Sequence, residues 1–114
     1  MRSRYRLSRR ALADLRDILV YSGNQWGNAQ AETYITELYA CFQKIAEAPD
    51  LGLKRQTRVQ PFRMVAAQKH FIIYDVMRDT VVILTIQHQK RDIEALIKAI
   101  HPELLKAIAE MRAI

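Results

Sequence analysis

The hydrophobic period of this chain changes once, near residue 60, and that change restricts the fold more than any other feature. Before it, apolar residues recur at spacings of three and four, the repeat of a helix face. Ala11, Leu12, Leu15, Ile18 and Leu19 form one such stripe, predicting a helix over 9–22. Ala31, Tyr34, Ile35, Leu38, Phe42 and Ile45 form a second, running to Ala48 before Pro49 ends it. After the change, "HFIIYDVM" (70–77) and "TVVILTIQ" (80–87) are β-branched and aromatic runs of strand length, and Phe62, Met64 and Ala66 alternate with Arg63 and Val65. Two helices followed by strands give an α+β chain, in which a helical hairpin needs a sheet to cover its stripes.

Local signals sharpen this outline. Tyr5, Arg6 and Leu7 read as a short first strand. Ser8 reads as the N-cap of the first helix, with Leu7 and Leu12 at the positions of a hydrophobic staple. Asp14, Arg16 and Asp17 are placed away from the apolar stripe, and Gly23 is read as the stop. "NQWG" (24–27) is read as a tight connector in which Trp26 seals the corner of the core, with Asn28 capping the second helix. The segment 50–60 is read as irregular and carries Lys54, Arg55 and Arg58. The breaks at Gln68–Lys69 and Arg78–Asp79 have the length of hairpin turns without the favoured Asn-Gly or Asp-Gly chemistry. Strands 70–77 and 80–87 are apolar on both faces, as central strands are. Beyond "HQKRD", Ile93, Leu96, Ile97 and Ile100 predict a third helix. Pro102 restarts it, with Leu104, Leu105, Ile108 and Met111 continuing the stripe.

Composition removes several functional classes. One cysteine, Cys41, excludes a disulfide framework and a cysteine-rich zinc site, and its apolar neighbours mark an inert packed thiol. No cofactor or metal-site motif is present. The charged start is not followed by an apolar run, and no stretch approaches the ~20 apolar residues of a membrane span, so a cytoplasmic protein is expected. The formal charge of +6 favours a polyanionic or acidic partner without naming one.

Four stretches carry a more particular likeness: "YRLSRRALADLRDILVYSGNQWG" (5–27), "IAEAPDLGL" (45–53), "FRMV…HFIIYDV" (62–76) and "IQHQKRD" (86–92). In this order and spacing they resemble the ParE branch of the RelE/ParE superfamily, the toxins of type II toxin–antitoxin pairs. The resemblance runs over about 4–97 of a single 1–114 domain and leaves 98–114 as a C-terminal helical extension. The periodicity itself gives the order β-α-α-β-β-β-α, with an N-terminal strand and helical hairpin on a small, mostly antiparallel sheet, and the resemblance goes beyond that layout. It implies a toxin neutralised by a cognate antitoxin, acidic and partly disordered, with DNA gyrase as the poisoned target. One departure is visible: where the family commonly has a glycine before the residues that open the second strand, this chain has Gln60-Pro61-Phe62-Arg63.

RelE-type relatives are ribosome-dependent messenger RNA endoribonucleases, so the chemistry must be weighed. Cleavage by 2′-hydroxyl attack needs a base, cations on the phosphate and an acid for the leaving oxygen. His88 has the right side chain for acid or base, and Arg63, Lys90 and Arg91 for the phosphate. No Tyr follows the last strand, and Tyr74, in mid-strand, reads as a structural phenol. His88 reads equally as a strand-end imidazole bonded to nearby backbone. Asp92 reads as a helix cap, with Arg91 pairing to it or to Asp75. Three readings follow. The leading one is a gyrase poison that acts by binding and is not an enzyme, contacting its target or antitoxin through Lys54, Arg55, Arg58, Arg63, His88, Lys90 and Arg91. The others are a RelE-like endoribonuclease and an inactive member that only binds its antitoxin.

Overall fold

The computed structural model describes residues 4–55 and 62–90. The expected third helix, the 98–114 extension, Arg58, Arg91 and Asp92 lie outside them. The described elements are β1 (Tyr5–Leu7), α1 (Arg9–Trp26), α2 (Asn28–Glu47), a 3-10 turn (Pro49–Leu51), β2 (Leu53–Arg55), β3 (Phe62–Ala67), β4 (His70–Met77) and β5 (Thr80–His88). The five strands form one sheet in the order β1-β5-β4-β3-β2. β1 runs parallel to β5, and every other pairing is antiparallel. This is the α+β architecture that the change of period dictates, with one strand more than expected. β2 is three residues long, lies at the edge and has two cations in sequence, so it leaves no periodic signal.

The helical hairpin covers one face of the sheet. Leu15 and Ile18 of α1 and Leu38, Phe42 and Ile45 of α2 pack with Ile72, Tyr74, Val81, Ile83 and Ile86 in one core. Each fully buried large side chain there contributes about 1.5–3 kcal/mol, and Phe42→Ala would cost about 3–5 kcal/mol. Phe62, Met64, Ile73, Val82 and Leu84 form a second buried cluster on alternate strand positions, so β4 and β5 are apolar on both faces. Ser8 caps α1 as its sequence position predicts, accepting from Ala11 N–H at 3.0 Å and donating to Leu84 O at 2.8 Å. Its hydroxyl therefore fixes both the helix start and the helix position over β5.

Several local expectations are corrected. The inward face of α1 is Ala11, Asp14, Leu15, Ile18 and Ser22, whereas Leu12 and Leu19 stand 46% and 40% exposed. Positions 12 and 19 share a flank one helical step from the sheet. Asp14 occupies the buried face despite its charge, because the sheet meets it with donors. Thr85 Oγ1 donates to its Oδ2, Ile86 N–H donates to the same oxygen at 3.1 Å, and Arg10 Nε reaches Oδ1 at 3.1 Å. Burial still raises the Asp14 carboxyl above the usual range, with Thr85, Ile86 and Arg10 pulling the other way. Gly23 does not end α1. The turn comes at Gly27, whose φ of 90° suits a residue without Cβ, and Gly27 rather than Asn28 is the N-cap of α2. One further turn of helix carries Trp26 outward, and it is 43% exposed instead of sealing the core.

Candidate functional site

The sheet brings the sequence-marked cations to two separate ends. At one end, β2 pairs with β3 so that Lys54 faces Arg63 and Arg55 faces Phe62. Pro49, Asp50, Lys54, Phe62, Arg63, Asp75 and Val76 line a shallow cleft of about 340 Å³. Arg63 is held in place there: one guanidinium nitrogen donates to Gly52 O at 2.9 Å, and another lies 3.2 Å from Asp50 Oδ1. Beneath it Tyr74 is fully buried, accepting from Gly52 N–H at 2.8 Å and donating to Pro49 O at 2.7 Å. Burial pushes this phenol up, with the Gly52 N–H and Arg63 pulling it down less strongly. Its oxygen is committed to two backbone groups, so Tyr74 braces the segment before β2 and is not placed as a proton donor.

At the other end, His88 closes β5 opposite His70, the first residue of β4. The two rings meet edge to face with centroids 5.2 Å apart. Lys90 N–H donates to His88 Nδ1 at 3.0 Å. Tyr34, from α2, lies 2.6 Å from His70 Nδ1, and its oxygen also takes the Lys69 N–H at 3.2 Å. With the Lys69 N–H on one lone pair of the phenol oxygen, we assign the Tyr34 hydroxyl proton to His70 Nδ1, the arrangement that gives that proton an acceptor, and hence the His70 proton to Nε2. His70 is pushed down to about 4, chiefly by burial and then by His88 and Lys69. Gln89 fixes this end, donating from its side chain to Gln68 O at 2.7 Å and to His70 O at 3.2 Å.

The two ends do not combine. Arg63 sits opposite Tyr74 and His88 opposite His70. The step from 70 to 74 along β4 spans about 13 Å at ~3.3 Å per residue. Of the sequence-marked residues, Lys54 joins Arg63 in the cleft, and Lys90 joins His88 at the far end. Tyr34 and His70 were missed. Tyr34 looked like one more member of an apolar stripe, and only the β4–β5 register shows that His70 meets His88. Among the described residues no group of three or more His, Cys, Asp or Glu side chains is placed to hold a metal ion, and no helix is long and apolar enough to cross a membrane.

Similarity to known proteins agrees with this layout. The family model of the ParE toxin of type II toxin–antitoxin systems, parDE, matches residues 5–93. Toxin ParE1 of Caulobacter vibrioides is 41% identical over 91 residues, covering 80% of this chain and 94% of that protein. Toxin ParE1 of Mycobacterium tuberculosis is 32% identical over 96 residues, covering 82% and 97%. A solved structure described as the chromosomal ParDE toxin–antitoxin system of P. aeruginosa superposes with a TM-score of 0.66 at 18% identity, covering 76% of this chain and 96% of that one, a likeness of fold. On the family match and these relatives together, the chain belongs to the ParE toxin family of type II toxin–antitoxin systems.

Proposed function

We propose that this ParE-family toxin poisons DNA gyrase by binding it, and that a cognate antitoxin neutralises it. The observation that carries the reading is the separation of Arg63 from His88 by four residue steps along β4. A ribonuclease centre needs its cations and its acid or base around one phosphate, within hydrogen-bond reach. Here Arg63 is bound to Gly52 and Asp50, and the His88 Nδ1 is occupied by the Lys90 N–H. Cations spread over two ends of a sheet suit a broad acidic or polyanionic contact surface better than a single reacting phosphate. The contact set is Lys54, Arg55, Arg58, Arg63, His88, Lys90 and Arg91.

The antitoxin surface follows from α1. Leu12, Arg16 and Leu19 recur at helical spacing on an exposed flank of this helix. An acidic, partly disordered antitoxin segment folds along it, with aliphatic anchors on the leucines and carboxylates on the basic rim.

Purified toxin incubated with gyrase, plasmid and ATP tests the reading. Loss of supercoiling with accumulation of linear DNA, both reversed by the antitoxin, is the expected result. Normal gyrase activity together with codon-specific cutting of ribosome-bound message would transfer the assignment to a RelE-like endoribonuclease. Antitoxin binding without either effect would make the protein an inactive family member.

A further inference from the structure

The His70–His88 end of the sheet shares His88 with the proposed contact set and adds Tyr21, Trp26, Lys69 and His70, which that contact set does not use. His88 accepts the Lys90 N–H at Nδ1, and with the Tyr34 hydroxyl assigned as donor to His70 Nδ1, each imidazole carries its proton on Nε2. No partner for either Nε2 exists among the described residues, and neither atom is a buried unsatisfied group, so each keeps some contact with solvent. Two accessible N–H donors suit an anion, whereas a cation would have to displace their protons. Lys69, the residue before His70, places its ammonium 4.1 Å from the centre of the Trp26 ring. Trp26 in turn meets Tyr21 edge to face at 6.3 Å, and both aromatic rings are exposed. Along one rim the chain thus sets Tyr21, Trp26, Lys69, His70 and His88 in sequence: aromatic faces, a cation and anion-directed donors.

We propose that this rim binds single-stranded nucleic acid, with a backbone phosphate on the Nε2–H groups of His70 and His88 and an adjacent base stacked on Trp26. Base stacking on exposed aromatics beside a positive groove is the general physics of single-strand binding. Lys69 covers the Trp26 ring in the free protein, and an arriving base moves the ammonium from the ring to the phosphate. Glu37, the carboxylate of α2 nearest this turn in the hydrogen-bond network, is engaged by the Gln68 amide. Because His70 titrates at about 4, it meets the phosphate at neutral pH as an uncharged donor held by Tyr34. The rim shares His88 with the proposed gyrase contact set, but strand binding is measured without gyrase, so either reading can fail while the other stands.

Trp26 is the single tryptophan of the chain, so its fluorescence reports this rim alone. Titration with oligothymidylate or oligouridylate at low salt should quench it, and the imidazole of His70 should titrate at higher pH in the complex, since a nearby anion favours imidazolium. By anisotropy of a labelled strand, Trp26→Leu and His88→Ala should each weaken binding about 10-fold, as loss of one stacked aromatic or one phosphate contact does. Thermal melts confirm that each variant is folded; if His88→Ala is not, Lys69→Gln on the exposed turn carries the same expectation. Binding that leaves Trp26 fluorescence unchanged, or that Trp26→Leu, His88→Ala and Lys69→Gln leave intact, overturns the proposal in favour of net charge. Duplex DNA binding as tightly as the single strand also overturns it, because stacking then plays no part. Inorganic phosphate that displaces the strand at matched phosphate concentration reduces the rim to a simple anion site and overturns it equally.

Discussion

Two side chains carry more consequence than their sequence context suggests. Asp14 stands beneath the sheet as the shared acceptor of Thr85 Oγ1 and Ile86 N–H. Asp14→Ala leaves both donors buried and unpaired, which should cost about 2–3 kcal/mol in denaturant unfolding, with Asp14→Asn recovering part of it. The sequence reading placed Asp14 away from the apolar stripe. The helical spacing of 11, 14 and 18 already placed it inward, but the donors that make burial tolerable lie over 70 residues away in sequence. His70 gives a pH dependence of definite sign. Its folded value, about 4, lies below the ordinary 6.5, so below pH 6.5 the unfolded chain takes up the proton first. Stability from this residue is full above about pH 6.5 and is lost as pH falls toward 4, by about 1–2 kcal/mol after allowance for solvent screening. The wild-type melting temperature should therefore fall across this window relative to His70→Phe. Parallel curves for the two proteins would show that His70 is not the titrating group.

Among the elements, the long apolar runs were legible because burial on both faces of β4 and β5 leaves a continuous β-branched pattern in sequence. What escaped were features set by neighbours. β2 takes its conformation from pairing with β3, and α1 runs through Gly23 because Gly27 supplies the turn. The β4–β5 hairpin turns on Arg78 and Asp79, with φ of 48° and 64°. Two adjacent positive φ values fit a primed turn, where Asn-Gly is favoured and arginine is strained. Arg78→Asn with Asp79→Gly should stabilise the protein by about 0.5–1 kcal/mol, read as a shift in urea midpoint at constant slope. Tyr74 makes the opposite case. Tyr74→Phe strips a partner from Gly52 N–H and Pro49 O, and should cost about 1–3 kcal/mol. Amide exchange should rise first in Pro49–Arg55, ahead of the helices. Gly52→Ala would act at the same point, since an added Cβ would stand 2.6 Å from the Tyr74 oxygen.

For the molecule as a whole, the charge of +6 governs encounter more than affinity. On the proposed docking along α1, the association rate with antitoxin should fall steeply from low to high salt while the dissociation rate changes little, because apolar anchors are not screened. A salt-independent association rate would remove electrostatic steering from the account. The placement of cations at both ends of the sheet also ranks substitutions. Replacing Arg63, Lys90 and Arg91 together should weaken toxicity in steps that track lost charge. His88→Ala alone should give a partial, graded loss, far short of the ~10²- to 10⁴-fold drop expected on removing a catalytic acid or base. Growth assays at matched soluble protein levels decide between the two patterns. The residue types of this surface were legible in the sequence, whereas their division into two ends was not, because strand register alone fixes it.

The parallel pairing of β1 with β5 sets an order of events during synthesis. Ser8 binds Leu84 across 76 residues, and Tyr5–Leu7 have no sheet partner until Val81–Ile83 exist. At about 5–20 residues per second, a ribosome leaves the first strand waiting roughly 4–15 s for its neighbour. In the later part of that interval, once α2 has been made, the inward faces of the two helices have no sheet to cover them until β4 and β5 follow. A newly made molecule thus completes its sheet only when the chain through β5 has left the ribosome, and the proposed antitoxin, if already made, would meet it at that moment.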